Sequence, residues 1–358
     1  MSSEGKNISN SKKYFWIFAG IVSLLINVFF NKFPSITEAI YSNFIFQGIR
    51  YLYDYTLGFI PFPMVYILFA GLIFLIIRHF KYLRSESYSF SLFNTFIKIA
   101  SVLGFVITSF YLLWGFNYAR IPFQEKQEMN VIEVDSNYVK SALLHCKAKI
   151  ESTYPAINYK EINYRELEKE VRRSLKKTLQ KMGYLAGSRV RGRLLKPNGI
   201  LLRISTAGVY LPFVAEGHID GGLHPSQWPF TMAHEMSHAY GFGDEGTCNF
   251  IALITCAESD NKFIQYSGWM GYFRYLASNY RRINNNEYLK LRASIDEIVI
   301  ADINAVNANL DKYPDILPDV RDFIYGSYLK SQGVQGGLQS YSNIIKMMAA
   351  WEKKHGVL

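Results

Sequence analysis

Cysteine is scarce in this chain, with three in 358 residues, at positions 146, 248 and 256. So sparse a set excludes the disulfide framework of a small secreted domain and a thiolate zinc cluster, both of which need closely grouped cysteines. Cys248 and Cys256 fall on one expected helix, about 12 Å apart at 1.5 Å per residue, too far to bond each other. Either could pair with Cys146, and buried free thiols are the expectation. Charge is also thin, at 19% of residues, and the net +10 comes from 39 basic against 29 acidic side chains. The basic excess flanks apolar runs or spreads over helices such as 169–181. No aromatic-and-basic module stands out, so no nucleic acid is expected as a partner. Internal repeats are absent as well, and no long apolar run follows residue 118.

What the first third of the chain does have is three such runs. Residues 14–30 are apolar except for Ser23 and Asn27, and residues 60–77 and 99–118 carry no charge. Each approaches the roughly 20 residues that a bilayer demands of a helix. No small-x-small cleavage site follows the first, so it reads as an uncleaved anchor. Lys6, Lys12 and Lys13 precede it, and Arg78, Lys81, Arg84 and Lys98 separate the second run from the third. Lys32 and Arg50 alone lie between the first two, offset by Glu38 and Asp54. The positive-inside rule puts the N-terminus and the second loop in the cytoplasm, and three spans carry everything after residue 118 to the other side. Residues 31–59 are expected as an aromatic loop, either in the interfacial layer or folded back against the soluble domain that follows. The division is thus a membrane domain, 1–118, and an extracytoplasmic domain, 119–358.

In the second part, residues 135–152 and 164–182 show helical spacing of apolar residues. Residues 189–195 and 200–219 read as strands, and helices dominate from 262, including 287–310, 317–331 and 338–354. The strands lead into Pro229-Phe-Thr-Met-Ala-His-Glu-Met-Ser-His-Ala-Tyr-Gly-Phe. Pro229 suits a first helical turn, and Gly241 and Gly243 suit its end. Between them, His234 and His238 stand four apart, on one helix face, close enough to share a metal ion. Glu235, beside the first, is placed to take a proton from metal-bound water. Strands, a metal-binding helix and a helical remainder together make an α-rich α+β domain of zincin-like type.

A catalytic zinc takes three protein ligands and keeps one open position. Glu245 is the preferred third ligand, projecting from the first turn of the next helix. Asp244 then caps that helix, and Asn249, four residues on, orients a ligand from the same face. The alternative makes Asp244 the ligand, at metzincin spacing, with Gly241 allowing the turn. Glu216 and His218, at a strand end before the motif, are candidates for contact with substrate amine and oxyanion. Tyr210, Tyr240, His224 and Tyr341 are candidates for the group opposite Glu235.

The motif, with Leu211-Pro-Phe-Val-Ala-Glu before it and Asp-Glu-x-x-x-Asn-Phe after it, resembles a bacterial family of membrane-anchored zinc-peptidase-like proteins known as domain of unknown function 3810. Trp114-Gly-Phe-Asn-Tyr, Tyr328-Leu-Lys and Ser340-Tyr341 resemble it too, so the likeness covers nearly the whole chain. The resemblance implies a zincin-like fold and a bound zinc ion in the bacterial inner membrane, and leaves the substrate open. The family carries a further acid where this chain has Thr247, which leaves the third ligand open as well.

The expectation is a membrane-anchored zinc hydrolase acting on a peptide or protein of the cell envelope. The alternative is a non-catalytic zincin-fold envelope protein that binds a partner, against which the intact Glu235 speaks. Intramembrane proteolysis is disfavoured because the motif lies about 115 residues past the last span. The topology is directly testable. A reporter active only outside the cytoplasm, fused after Leu358, is expected to be active, and protease added to spheroplasts is expected to trim the C-terminal domain while sparing the loop around Lys81.

Overall fold

A computed structural model describes residues 4–84, 90–131, 133–156, 158–316, 318–319 and 343–358. The chain divides into two units: Met1–Ile121 together with Leu211–Ala215, and Pro122–Tyr210 together with Glu216–Leu358.

Three helices of the first unit are long and apolar enough to cross a membrane: residues 14–32 within α1 (Glu4–Lys32), α3 (Val65–Leu83) and α4 (Leu92–Leu113). The second starts later than expected, after Pro61 and Pro63, which lack the N–H that a helix interior needs. The third starts earlier, capped by Ser91, whose hydroxyl accepts from the Asn94 amide. It stops at Leu113, where Gly115 closes onto the Phe110 and Tyr111 rings with no room for a Cβ. Large apolar side chains such as Phe18, Leu25, Phe74 and Leu103 point outward, which suits lipid surroundings. α1 and α4 cross at Gly20 and Gly104. A Cβ on Gly20 would come within 2.8 Å of the Gly104 Cα, and one on Gly104 would overlap the Trp16 carbonyl. Small residues at a crossing let two backbones approach, which favours association in lipid.

Residues 34–59, expected as a loop, are helical: Pro34–Ile36, a π-helical stretch Thr37–Ile45, α2 (Phe46–Thr56) and a closing turn. Their few charges are spent inside the unit. Glu38 takes a two-pronged contact from Arg120, at 2.9 and 3.0 Å. Arg50, 1% exposed, meets Asp54 at 2.5 Å and donates to the Ala215 carbonyl at 2.7 Å. Tyr41 donates to the carbonyls of Tyr111 and Leu112 and packs with Phe30, Phe46 and Phe116. Phe44, Tyr55 and Phe59 remain exposed. The segment is therefore amphipathic, with one aromatic stripe buried and the other outward.

The second unit opens with α5 (Ser136–Thr153) and α6 (Tyr164–Lys181), capped by the side chains of Asp135 and Asn163. A three-stranded sheet follows in the order β1-β3-β2. β1 (Gly192–Leu195) runs parallel to β3 (Glu216–Asp220), with Arg193 opposite His218. β2 (Gly208–Leu211) returns into β3 through residues 212–215, a connection short enough only for antiparallel strands. The second expected strand is thus broken, and Asp220 is the reason. Its carboxylate accepts from the backbone N–H groups of Gly199 (2.6 Å), Leu201 (2.6 Å), Leu202 (3.1 Å) and Gly222 (2.7 Å). Residues 199–202 wrap around that charge instead of joining the ladder.

α7 (Trp228–Ala239), α8 (Glu245–Ala257) and α9 (Lys262–Ile283) form the core, with α8 buried at nearly every position. The helix expected over 287–310 is two, α10 (Asn285–Ala293) and α11 (Glu297–Asp311), parted where Ile295 turns inward. α12 (Asn343–His355) ends the fold. The rest of the helices expected over 317–331 and 338–354 lies outside the described residues. All three cysteines are buried and free.

Candidate metal centre

α7 begins as the sequence suggests, with Pro229 in its first turn. It ends at Gly241, whose φ of +88° is a conformation that favours glycine; Gly243 has no such role. Asp244 starts the next helix, its carboxylate accepting from the Thr247 N–H at 2.7 Å and the Thr247 hydroxyl at 2.8 Å. Glu245 then stands in the first turn of α8 and points back at α7.

The result is a cluster of His234, His238 and Glu245 whose ligand-type atoms all lie within 4.8 Å of one another. Nε2 of His234 is 3.2 Å from Nε2 of His238 and 3.0 Å from Oε2 of Glu245, and the remaining edge is 3.7 Å. Donors about 2.0–2.1 Å from a tetrahedral zinc stand about 3.3 Å apart, so the triangle has the right size. The far sides of both rings are engaged. Nδ1 of His234 meets Oδ1 of Asn249 at 2.9 Å, and Nδ1 of His238 meets the Phe242 carbonyl at 2.8 Å. Both partners are acceptors, so each neutral ring carries its proton on Nδ1 and turns an Nε2 lone pair inward. Two lone pairs and a carboxylate facing each other in a buried space repel unless a cation joins them. His238 reports the same demand. Burial disfavours its charged form, yet Cys248 and Glu245 raise its pKa well above the usual histidine range. The residues present therefore fit a zinc ion.

Glu235, 4% exposed, sits beside this cluster. Burial pushes its carboxyl up to about 7, against the pull of His234 and His238. Two glycines make its space. A Cβ on Gly208 would lie 2.6 Å from Glu235 Oε1, and one on Gly217 would lie 2.7 Å from Glu235 Cβ. Neither glycine carries a motif; the signal for them exists only once β2 and β3 are seen against α7. Tyr275 was equally invisible, 40 residues past Glu235 in the middle of α9. Its phenol, with a pKa raised by burial, lies against the Asn249 amide and in the field of Glu245.

Other candidates are placed elsewhere. Because Gly217 faces Glu235, its neighbours Glu216 and His218 face the opposite side of the sheet. Glu216 is bound by Arg193 at 2.8 Å, and His218, fully buried, lies 3.5 Å from Glu216. That position corrects the expected substrate contact: strand alternation turns both away from the cluster. Tyr240 donates to the Ser188 carbonyl at 3.1 Å. His224 caps the turn before α7 and packs on Tyr159. Tyr210, two residues from Gly208, shares the strand face that turns to Glu235. Tyr341 lies outside the described residues. Asp244 caps α8 and is not part of the cluster.

Fold and cluster together define a helix-rich chain with three membrane-length helices and a buried His-His-Glu site. It belongs to the family described as protein of unknown function DUF3810, whose model matches residues 41–349. No curated protein and no solved structure matches the chain.

The two neighbouring acids are expected to separate cleanly. Glu245→Ala should greatly reduce the zinc retained by purified protein, read by elemental analysis. Asp244→Ala should keep the metal and lower stability by about 1 kcal/mol as a lost helix cap.

Proposed function

We propose that this protein is a membrane-anchored, zinc-dependent hydrolase of zincin-like fold, and specifically a peptidase of the cell envelope. The observation that carries the reading is the convergence of His234 Nε2, His238 Nε2 and Glu245 Oε2, with both Nδ1 atoms tied to acceptors, next to a buried carboxylate. A purely structural site has no use for that carboxylate. His234, His238 and Glu245 would hold the metal, and Asn249 and the Phe242 carbonyl would fix the rings. When bound, zinc supplies Lewis acidity that polarises an amide carbonyl and acidifies water.

The protein's own contribution is proton management and positioning. Glu235, with a pKa near neutrality, accepts the proton of the attacking water and returns it to the leaving amine. Gly208 and Gly217 keep that carboxylate pressed between sheet and helix. β2, one of the two outer strands of the described sheet, passes beside Glu235 and offers backbone groups to an extended peptide. Tyr210 and Tyr275 are the phenols placed to hydrogen-bond charge that develops on the substrate oxygen. Exclusion of water from so buried a site strengthens each of these interactions. The basic residues around the spans support an extracytoplasmic site.

Glu235→Gln is expected to leave zinc content unchanged and reduce peptide cleavage by at least about 100-fold, the usual scale of a lost general base. Gly208→Ala should act in the same direction by displacing the carboxylate, again with metal retained. Zinc content and turnover of a casein or peptide-library substrate are the measurements, and full activity in Glu235→Gln contradicts the reading.

A further inference from the structure

A cavity of about 900 Å³ opens beside the cluster, between the start of α7 and helices α9, α10 and α11. Thr231 lines it, one helical turn before His234 and Glu235 and on the same face. Tyr275, which lies against Asn249, lines it as well. The cavity therefore comes close to the candidate metal centre, with Thr231 and Tyr275 between the two.

Its lining is chemically one-sided. Phe230, Met270, Phe273, Tyr288 and Val306 give it an apolar floor, and Arg274, Arg281, Arg282 and Arg292 give it charge. Among the described residues of the lining there is no aspartate, glutamate or lysine. Among the described residues none of the four guanidinium groups has an acidic partner: Arg282 reaches the Ser278 carbonyl and Arg292 the Asn304 amide. Arg292 is half-buried and Arg274, Arg281 and Arg282 are exposed, so four guanidinium groups are gathered around one cavity and reachable from solvent. A guanidinium presents a planar fork of donors that fits a carboxylate in a two-pronged contact. Concave walls with one sign of charge also concentrate the opposite charge from solution.

We propose that this cavity is the substrate cleft and that it selects acidic peptides, those carrying Asp or Glu side chains within a few residues of the bond to be cut. The proposal rests on the hydrolase reading and deepens it. A peptide fits better than an anionic lipid headgroup for two reasons. The charges line a concave cavity beside the cluster, not a protruding face that could lie on a bilayer. The amide and hydroxyl groups of Gln227, Asn285, Asn307 and Ser278 among the arginines supply the neutral hydrogen bonds that a peptide backbone requires.

The test uses the full chain in detergent with Glu235→Gln, so that binding is read without turnover. Two short fluorescent peptides differ only in carrying two glutamates or two glutamines, and anisotropy gives their affinities. The glutamate peptide is expected to bind at least about tenfold tighter, as charge-assisted hydrogen bonds imply, and to lose that advantage with added salt. Arg281→Gln/Arg282→Gln and Arg274→Gln should abolish the preference while leaving affinity for the glutamine peptide, zinc content and melting temperature unchanged. Equal binding of the two peptides, or a preference that survives all three substitutions, overturns the proposal. So does arginine-dependent binding to phosphatidylglycerol vesicles without discrimination between the peptides, which assigns the cleft to lipid. Wild-type protein then separates the two readings. Discrimination without cleavage of either peptide keeps the acidic preference and removes the hydrolase, whereas equal cleavage of both removes the preference alone.

Discussion

Two imidazole nitrogens and one carboxylate oxygen crowd into a buried triangle with edges of 3.0, 3.2 and 3.7 Å, and everything around them is arranged to keep them there. Left to themselves these groups repel. They are held because each ring is tied at its other nitrogen, one to an amide oxygen on α8 and the other to a carbonyl in the turn that leads there. A buried site that concentrates lone pairs without a matching donor stores a demand for positive charge. That demand is the physical basis for proposing a metal.

The surrounding fold follows from it. The helix that carries His234 and His238 and the next must meet at a sharp turn, so the chain passes through a left-handed glycine, Gly241, and then a capping aspartate, Asp244. The Glu235 carboxylate must sit between helix and sheet, so the strands opposite it carry Gly208 and Gly217. Asp220 gathers four backbone N–H groups and sets where the sheet begins after the preceding turn.

How much of this was legible depended on range. The spacing of His234, Glu235 and His238 is a helix property, so three residues placed one face of the site. Asp244 and Glu245 stayed alternatives in the sequence, with Glu245 preferred because capping and projection from a first turn are also local. Asn249 followed from a four-residue interval. The glycines and Tyr275 were not legible, because their roles arise only when β2, β3 and α9 are brought to α7, and no local pattern encodes that. Glu216 and His218 were misplaced for the complementary reason: a strand's period of two decides which residue faces the helix, and that phase was fixed by Gly217, a residue without a side chain to notice. In the first unit, apolar length revealed the three helices long enough to cross a membrane but not the helical form of residues 34–59. Their aromatic content fitted an interfacial layer and a fold-back equally, while the internal pairing of Glu38 and Arg50 involves residues 82 and 165 positions away.

The most direct test of the metal centre is zinc K-edge X-ray absorption on the purified full-length chain. The account predicts about one zinc per chain with only nitrogen and oxygen neighbours at about 2.0 Å, two of them showing the outer-shell scattering of imidazole rings. Cys248, whose Sγ lies 3.4 Å from His238 Nδ1, supplies the contrasting outcome. A sulfur neighbour at about 2.3 Å, or protein that binds no zinc when it is offered, contradicts the assignment of His234, His238 and Glu245.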